Sequence, residues 1–182
     1  GPFYSKEVAQ EKKEKLGWDI VEDAARGYRR VVPSPEPMEV LQLEVIKKII
    51  DLDIITIALG GGGIPVVKRD DGSIVGCEAV IDKDRSSALL ANGLNVDLFI
   101  ISTDADQVYV NYKKPDMKGL RYATTEELQK YYDEGHFPAG SMGPKVESVI
   151  RFIKNGGKKA IITSFECLMD ALEEKAGTHI SN

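Results

Sequence analysis

Cysteine, histidine and tryptophan are scarce: two, two and one among 182 residues. Cys77 and Cys167 lie far apart. That argues against a disulfide framework, and both read as reduced packing residues of a cytosolic protein. His136 and His179 stand at no recognised metal-ligand spacing with them, so no metal site is expected from these side chains. Basic residues are not in excess, since the formal net charge is -5. Little charge is available to displace counterions, and nucleic acid is not an expected partner. No apolar run approaches the ~20 residues of a membrane span, so no membrane partner is expected either. The region from Lys6 to Lys15 is too charged for a signal peptide. An initiator methionine is also missing, and Gly1-Pro2-Phe3 reads like the middle of a longer chain. What is present is ordinary for a globular protein: 42% hydrophobic and 29% charged residues. The length suits one substantial domain or two small ones.

Strand and helix patterns alternate along the chain, with no internal repeat and no low-complexity tract. Residues 5–15 read as a polar helix capped by Ser5 and ended by Gly17. Trp18–Val21 and Gly27–Val32 read as strands, the second with a basic patch at Arg26, Arg29 and Arg30 that suits a solvated strand edge. Pro33-Ser34-Pro35-Glu36-Pro37 is a stiff linker and the best candidate boundary. A helix is expected over Met38–Ile50, then a strand over Ile54–Leu59. The latter is apolar on both faces, as in the centre of a parallel sheet. Asp70-Asp71-Gly72 signals a hairpin. Asp82 caps a helix that Gly93 can stop, and Asp97–Ser102 reads as another buried strand, with Val108–Asn111 extended after it. Thr124–Glu127 is a capping box opening a helix that Gly135 can close. Val146, Val149, Ile150 and Ile153 mark the buried face of another helix. A strand over Lys159–Thr163, a helix over 165–175 and a short last strand from Gly177 complete the chain. The pattern is that of an α/β sandwich.

Chemistry concentrates in three loops and two lysines. Gly60-Gly61-Gly62-Gly63 ends the run Ile54–Leu59. It is either a flexible turn or a close approach of backbone to a ligand. It is neither a dinucleotide fingerprint nor a Walker loop, which disfavours a Rossmann dehydrogenase. Thr103-Asp104 lies at the carboxyl end of a strand, where open α/β sheets bind ligands. Lys83 and Lys145 stand in first helical turns, the disfavoured end for a cation. Each is either a solvated lysine that tolerates a small cost or part of an anion site with free backbone N–H groups. Glycine loops and lysines at helix starts suit a polyphosphate whose charge is neutralised during phosphoryl transfer.

Several stretches resemble the carbamate kinases in the family's order: Arg29–Pro35, Gly60–Pro65, Ala79-Val80-Ile81-Asp82-Lys83-Asp84, Ser102-Thr103-Asp104 with Val108-Tyr109, and Ala139–Lys145. The resemblance implies an amino-acid-kinase fold: a three-layer αβα sandwich with a mainly parallel sheet. Residues 1–36 would end a protruding lid subdomain, and 37–182 would form the nucleotide-binding α/β domain. It implies reversible phosphoryl transfer between ATP and carbamate, giving ADP and carbamoyl phosphate with Mg²⁺. A cytoplasmic homodimer working in arginine metabolism is implied as well. By residue matching, Lys83 and Lys145 stabilise the transferring group and Asp84 organises them. Gly60, Gly61, Gly62, Thr103, Asp104, Val108, Tyr109, Met142 and Lys145 would line the nucleotide. Asp104-Ala105-Asp106-Gln107 departs slightly from the family's commoner residues. The family's chains are longer and begin with a further half that carries the acceptor loops, another active-site lysine and much of the dimer surface. The present chain alone is therefore expected to be a poor catalyst. Two rivals stay open: an amino-acid kinase with another acceptor, and a nucleotide-binding module without catalysis.

Overall fold

The computed structural model describes residues 1–23 and 26–182. The chain divides into two compact units. The first comprises Gly1–Pro35 and Ile64–Val80. Its helix α1 (Lys6–Leu16) begins where the Ser5 hydroxyl accepts from the Val8 N–H and ends at Gly17 in the left-handed region. Strands β1 (Ile20–Asp23) and β2 (Gly27–Arg30) pair antiparallel, Ile20 opposite Arg30. Arg26 and Arg29 are exposed, as expected of a solvated edge, and each arginine of the patch also has an acidic partner. Arg26 and Arg29 pair with Asp23, while Arg30 pairs with Glu78 at 2.9 Å and lies 4.6 Å over the Trp18 ring. Two carboxylates thus face three guanidinium groups, and the Trp18 face holds one of these by cation–π attraction. The expected hairpin forms from β3 (Val66–Lys68) and β4 (Ile74–Gly76). Gly72 takes its positive φ in the turn, and the Asp71 carboxylate accepts from the Ser73 N–H.

The second unit comprises Glu36–Gly63 and Ile81–Asn182. After α2 (Leu43–Ile50) come α3 (Lys83–Leu94), β5 (Leu98–Thr103), β6 (Val108–Val110), β7 (Lys118–Leu120) and β8 (Tyr122–Thr124). Then follow α4 (Thr125–Asp133), α5 (Met142–Lys154), β9 (Lys159–Ser164), α6 (Leu168–Leu172) and β10 (Thr178–Ser181). The main sheet runs β5-β9-β10-β8. β5 with β9 and β10 with β8 are parallel, and only β9 with β10 is antiparallel. Phe99, Ile101, Ala160, Ile162 and Ile180 meet Ala88, Leu128, Val146, Val149 and Phe152 in one core. Period two on the strands and period 3.6 on the helices thus converge on one sheet face. On the other face Ala171 of α6 lies against Ile161 and Thr163 around Gly177. These are the three layers of an αβα sandwich.

Local signals locate most elements. The Thr124 capping box opens α4, with both reciprocal bonds to Glu127 present. Four expectations need correction. Ile54–Leu59 forms no strand, and Ile55 and Ile57 are each 97% exposed. A strand exists as part of a ladder, and among the described residues no strand pairs with this run. The helix expected from Met38 begins at Leu43, after a turn in which the Leu43 N–H donates to the Val40 carbonyl at 3.0 Å. Gly93 does not stop α3. That role falls to Asn95 in the left-handed region, while Gly93 admits the Leu43 side chain where a Cβ would sit 2.9 Å away. The helix over 165–175 shrinks to Leu168–Leu172.

His179 in β10 is buried, and its Nε2–H donates to the Ala176 carbonyl at 2.9 Å while Nδ1 has no hydrogen-bond partner among the described residues. Protonation would add a buried N–H with no acceptor. Burial holds its pKa below the ordinary 6.5 and outweighs the opposing bond to Ala176. A folded-state pKa below the unfolded one means the unfolded chain binds more protons. Stability is then fully present above about pH 6.5 and is lost as pH falls through the lowered folded value. Thermal melts at pH 7.5 and 5.5 should show a larger drop for the parent than for His179→Phe. Equal drops would contradict this assignment.

Candidate functional site

The site is built on the first turns of two helices. Asp82 caps α3 by accepting from the N–H groups of Asp84 and Arg85, at 2.9 and 3.1 Å. This places Lys83 and Asp84 as the first two helical residues. Pro144 lies in the first turn of α5, where its missing N–H leaves no intrahelical bond unmade, and Lys145 follows it. Packing of α3 on α5 through Ala88, Ala91, Val146 and Val149 brings the two starts together.

Lys145 Nζ donates to Asp84 Oδ2 at 2.8 Å, and both side chains are nearly buried, at 12% and 8% exposed. Lys83 Nζ lies 3.6 Å from the same oxygen with its side chain 59% exposed. The solvated-lysine reading of Lys145 is thereby excluded. Its charge sits at the unfavourable end of α5 because the Asp84 carboxylate compensates it. Two ammonium groups converge on one carboxylate oxygen, so one positive charge is left over, on the accessible side at Lys83. An anion is the complement of such a site.

The glycine loop reaches the same place. Gly62 is buried at φ +135, and a Cβ there would sit 2.0 Å from the Ile81 carbonyl oxygen and 3.3 Å from the Lys83 nitrogen. Gly60 and Gly62 donate to Ala58 and Leu59 at 2.8 and 2.9 Å, making a tight turn of Gly60–Gly63. At Gly62 the backbone comes close to the chain's own Ile81 carbonyl. That carbonyl lies in the segment that leads into α3 and Lys83.

The other expected residues are placed less closely. Thr103 ends β5 half-buried, and Asp104 follows it exposed. The Val108 side chain is fully buried in the core, and its N–H donates to Thr178 Oγ1 at 2.8 Å. Tyr109 is half-buried, its hydroxyl donating to Asp106 at 2.8 Å and accepting from Gln107 at 3.3 Å. The Gln107 bond lowers the phenol pKa, but burial and the Asp106 carboxylate outweigh it and the net direction is up. Met142 opens α5 and packs on the core. Among the described residues no hydrogen bond links this group to Lys83, Asp84 or Lys145. The sequence reading passed over Arg85 and Glu147, which join α3 to α5 two residues beyond each lysine. Their opposite charges at matching offsets are a signal, but only once the two helices are known to be neighbours.

A family profile matches residues 8–164 of this chain: the amino acid kinase family. The chain belongs to the amino acid kinase family. As a member of it, the chain is 49% identical over 181 residues to a carbamate kinase of Pyrococcus horikoshii, covering 100% of this chain and 57% of that relative. It is 50% identical over 182 residues to carbamate kinase 2 of Enterococcus faecalis, covering 100% of this chain and 58% of the other. The structure is similar to carbamate kinase from Giardia lamblia bound to AMP-PNP, with a TM-score of 0.89 and 45% identity. That match covers 100% of this chain and 57% of the solved one. This amino acid kinase chain thus spans a little over half the length of the relatives it matches.

The glycine loop gives a direct test. Gly62→Ala should displace the loop from the Ile81 carbonyl and lower the melting temperature, whereas Gly61→Ala, with open space around its position, should change it little. Equal effects of the two would contradict the close approach at Gly62.

Proposed function

We propose that this chain supplies the nucleotide side of a carbamate kinase, which moves a phosphoryl group reversibly between ATP and carbamate. The observation that carries the reading is the pair of lysines sharing Asp84 at the starts of α3 and α5, next to the glycine loop. The similarity to carbamate kinases at about half identity over the whole chain supports the choice of acceptor. The relative solved with AMP-PNP supports the choice of nucleotide.

In the direction of ATP synthesis, the bond between the carbamate oxygen and phosphorus of carbamoyl phosphate breaks. A new bond forms from a terminal oxygen of ADP to that phosphorus, and carbamate leaves as an anion. No strong base is needed, because both nucleophile and leaving group are already anionic. The chain's task is positive charge in a fixed place. Lys83 and Lys145 would meet the equatorial oxygens of the transferring group, and Asp84 would hold both ammonium groups in place. Gly60, Gly61 and Gly62 would form a backbone wall beside the phosphates, the N–H groups of Gly60 and Gly62 being used to hold the loop itself. Thr103, Asp104, Val108, Tyr109 and Met142 would line the nucleoside side, Val108 through its backbone. Among the described residues no cluster of three acidic, histidine or cysteine side chains could hold a metal ion. Magnesium, when bound with the nucleotide, would neutralise charge on the phosphates. Residues 1–36 would end a lid subdomain and 37–182 form the nucleotide-binding domain. The whole protein would be a cytoplasmic homodimer acting on small molecules in arginine metabolism. Among the described residues no helix is long and apolar enough to cross a membrane.

The test is ATP formation from ADP, Mg²⁺ and carbamoyl phosphate by the full-length protein. Lys145→Ala should lower turnover by about 10²–10³-fold while the melting temperature shows a folded protein. Near-parental turnover in that variant would overturn the reading. Turnover with a different acyl phosphate and none with carbamoyl phosphate would keep the lysine roles and replace the acceptor.

A further inference from the structure

Beside the lysine–aspartate cluster lies a second link between the same two helix starts. Arg85 follows Asp84 directly, and Glu147 follows Lys145 by two residues. Arg85 Nε and Nη2 both donate to Glu147 Oε2, at 3.2 and 2.8 Å. The other oxygen of Glu147 accepts from Arg151 Nη2 at 3.2 Å. Arg151 also pairs with Glu36, which in turn lies 3.7 Å from Arg85 Nη1. Arg85, Glu147 and Arg151 are each about one-quarter to one-third exposed.

The geometry matters more than the charge. Lys145 and Glu147 are roughly 200° apart around the α5 axis, at ~100° per residue. They therefore leave the helix on opposite sides, with Val146 between them buried in the core. The buried face of α5 fixes its seat on the sheet, and at the exposed start of the helix one tie, Lys145 to Asp84, sets a distance but opposes small rolls within that seat only weakly. A second tie on the far side, Glu147 to Arg85, removes the roll. Because Arg151 takes the remaining Glu147 oxygen, the carboxylate itself has little freedom.

We infer that the Arg85–Glu147 ion pair is a positioning device that sets the rotation of α5 on α3, and so fixes where Lys145 Nζ stands relative to Lys83. The inference rests on the phosphoryl-transfer reading above. Neither residue is catalytic, since they act through Lys145 and Asp84. Their loss changes alignment in the transition state more than it changes nucleotide binding. The signature is a fall in kcat with little change in KM for ADP.

The experiment compares Arg85→Met, Glu147→Gln, Glu147→Asp, Lys145→Ala and Lys158→Ala in the full-length protein, with turnover normalised to the folded fraction. Lys158 pairs with Asp97 on the surface and serves as a control that should turn over like the parent. Arg85→Met and Glu147→Gln should lose about 10- to 100-fold in kcat with KM for ADP within about threefold. Glu147→Asp, which keeps the charge on a shorter stem, should recover part of that loss. It also provides the reading if the other two do not fold. Parental kcat in the folded Arg85 and Glu147 variants, with Lys145→Ala inactive, overturns the inference and leaves the functional reading intact. Parental kcat in Lys145→Ala overturns both. A Glu147→Asp variant no better than Glu147→Gln also overturns the positioning role.

Discussion

The carboxylate of Asp84 is the constraint on which the site depends. It is nearly removed from water, and a carboxylate so placed is costly unless it is paired and hydrogen-bonded. Lys145 supplies the close partner and Lys83 a looser one. The same pairing resolves a difficulty in α5, whose fourth residue is a cation at the positive pole of the helix. Each charge is tolerated because of the other. Removing Asp84 would leave a nearly buried ammonium group without its counterion, and removing Lys145 would leave the carboxylate facing only the distant and exposed Lys83. That mutual dependence forces α3 and α5 to start at one place.

Everything else in the second unit serves to hold those starts. The apolar face of α5, with Val146, Val149, Phe152 and Ile153, locks it onto the sheet and onto α3. The Asp82 cap ends the approach to α3 sharply, so that Lys83 emerges beside the Gly62 backbone. β5 and β9 run parallel, and both finish in polar residues, Thr103 and Ser164. Such carboxyl ends are where open α/β sheets take ligands. A positively biased surface made from helix starts and lysines suits a phosphorylated ligand without any dedicated base.

Much of this was legible in the sequence wherever the signal was local. The Asp82 cap, the Thr124–Glu127 capping box, the Asp71-Gly72 turn and the periodicity of Val146 to Ile153 each announce their element within a few residues. The lysines were legible as misplaced charges. What was not legible was non-local. Ile54–Leu59 carries every mark of a buried strand, but strand formation depends on a neighbour that no local pattern encodes. Gly93 is read as a stop by composition, yet its use is to admit Leu43 from another helix. β7 and β8 are three residues each, too short for periodicity to register. Arg85 and Glu147, 62 residues apart, meet only because α3 and α5 pack.

The central claim is that Asp84 and Lys145 act as one unit in transfer, not as two separate aids. The most direct measurement is a double-mutant cycle on kcat for ATP formation in the full-length protein, using Asp84→Asn, Lys145→Ala and the pair. Strong non-additivity is expected: the double variant should lose about as much as the worse single variant, because each residue serves through the other. Losses that simply multiply would contradict it, showing that the two side chains contribute independently and that their 2.8 Å contact has no bearing on catalysis.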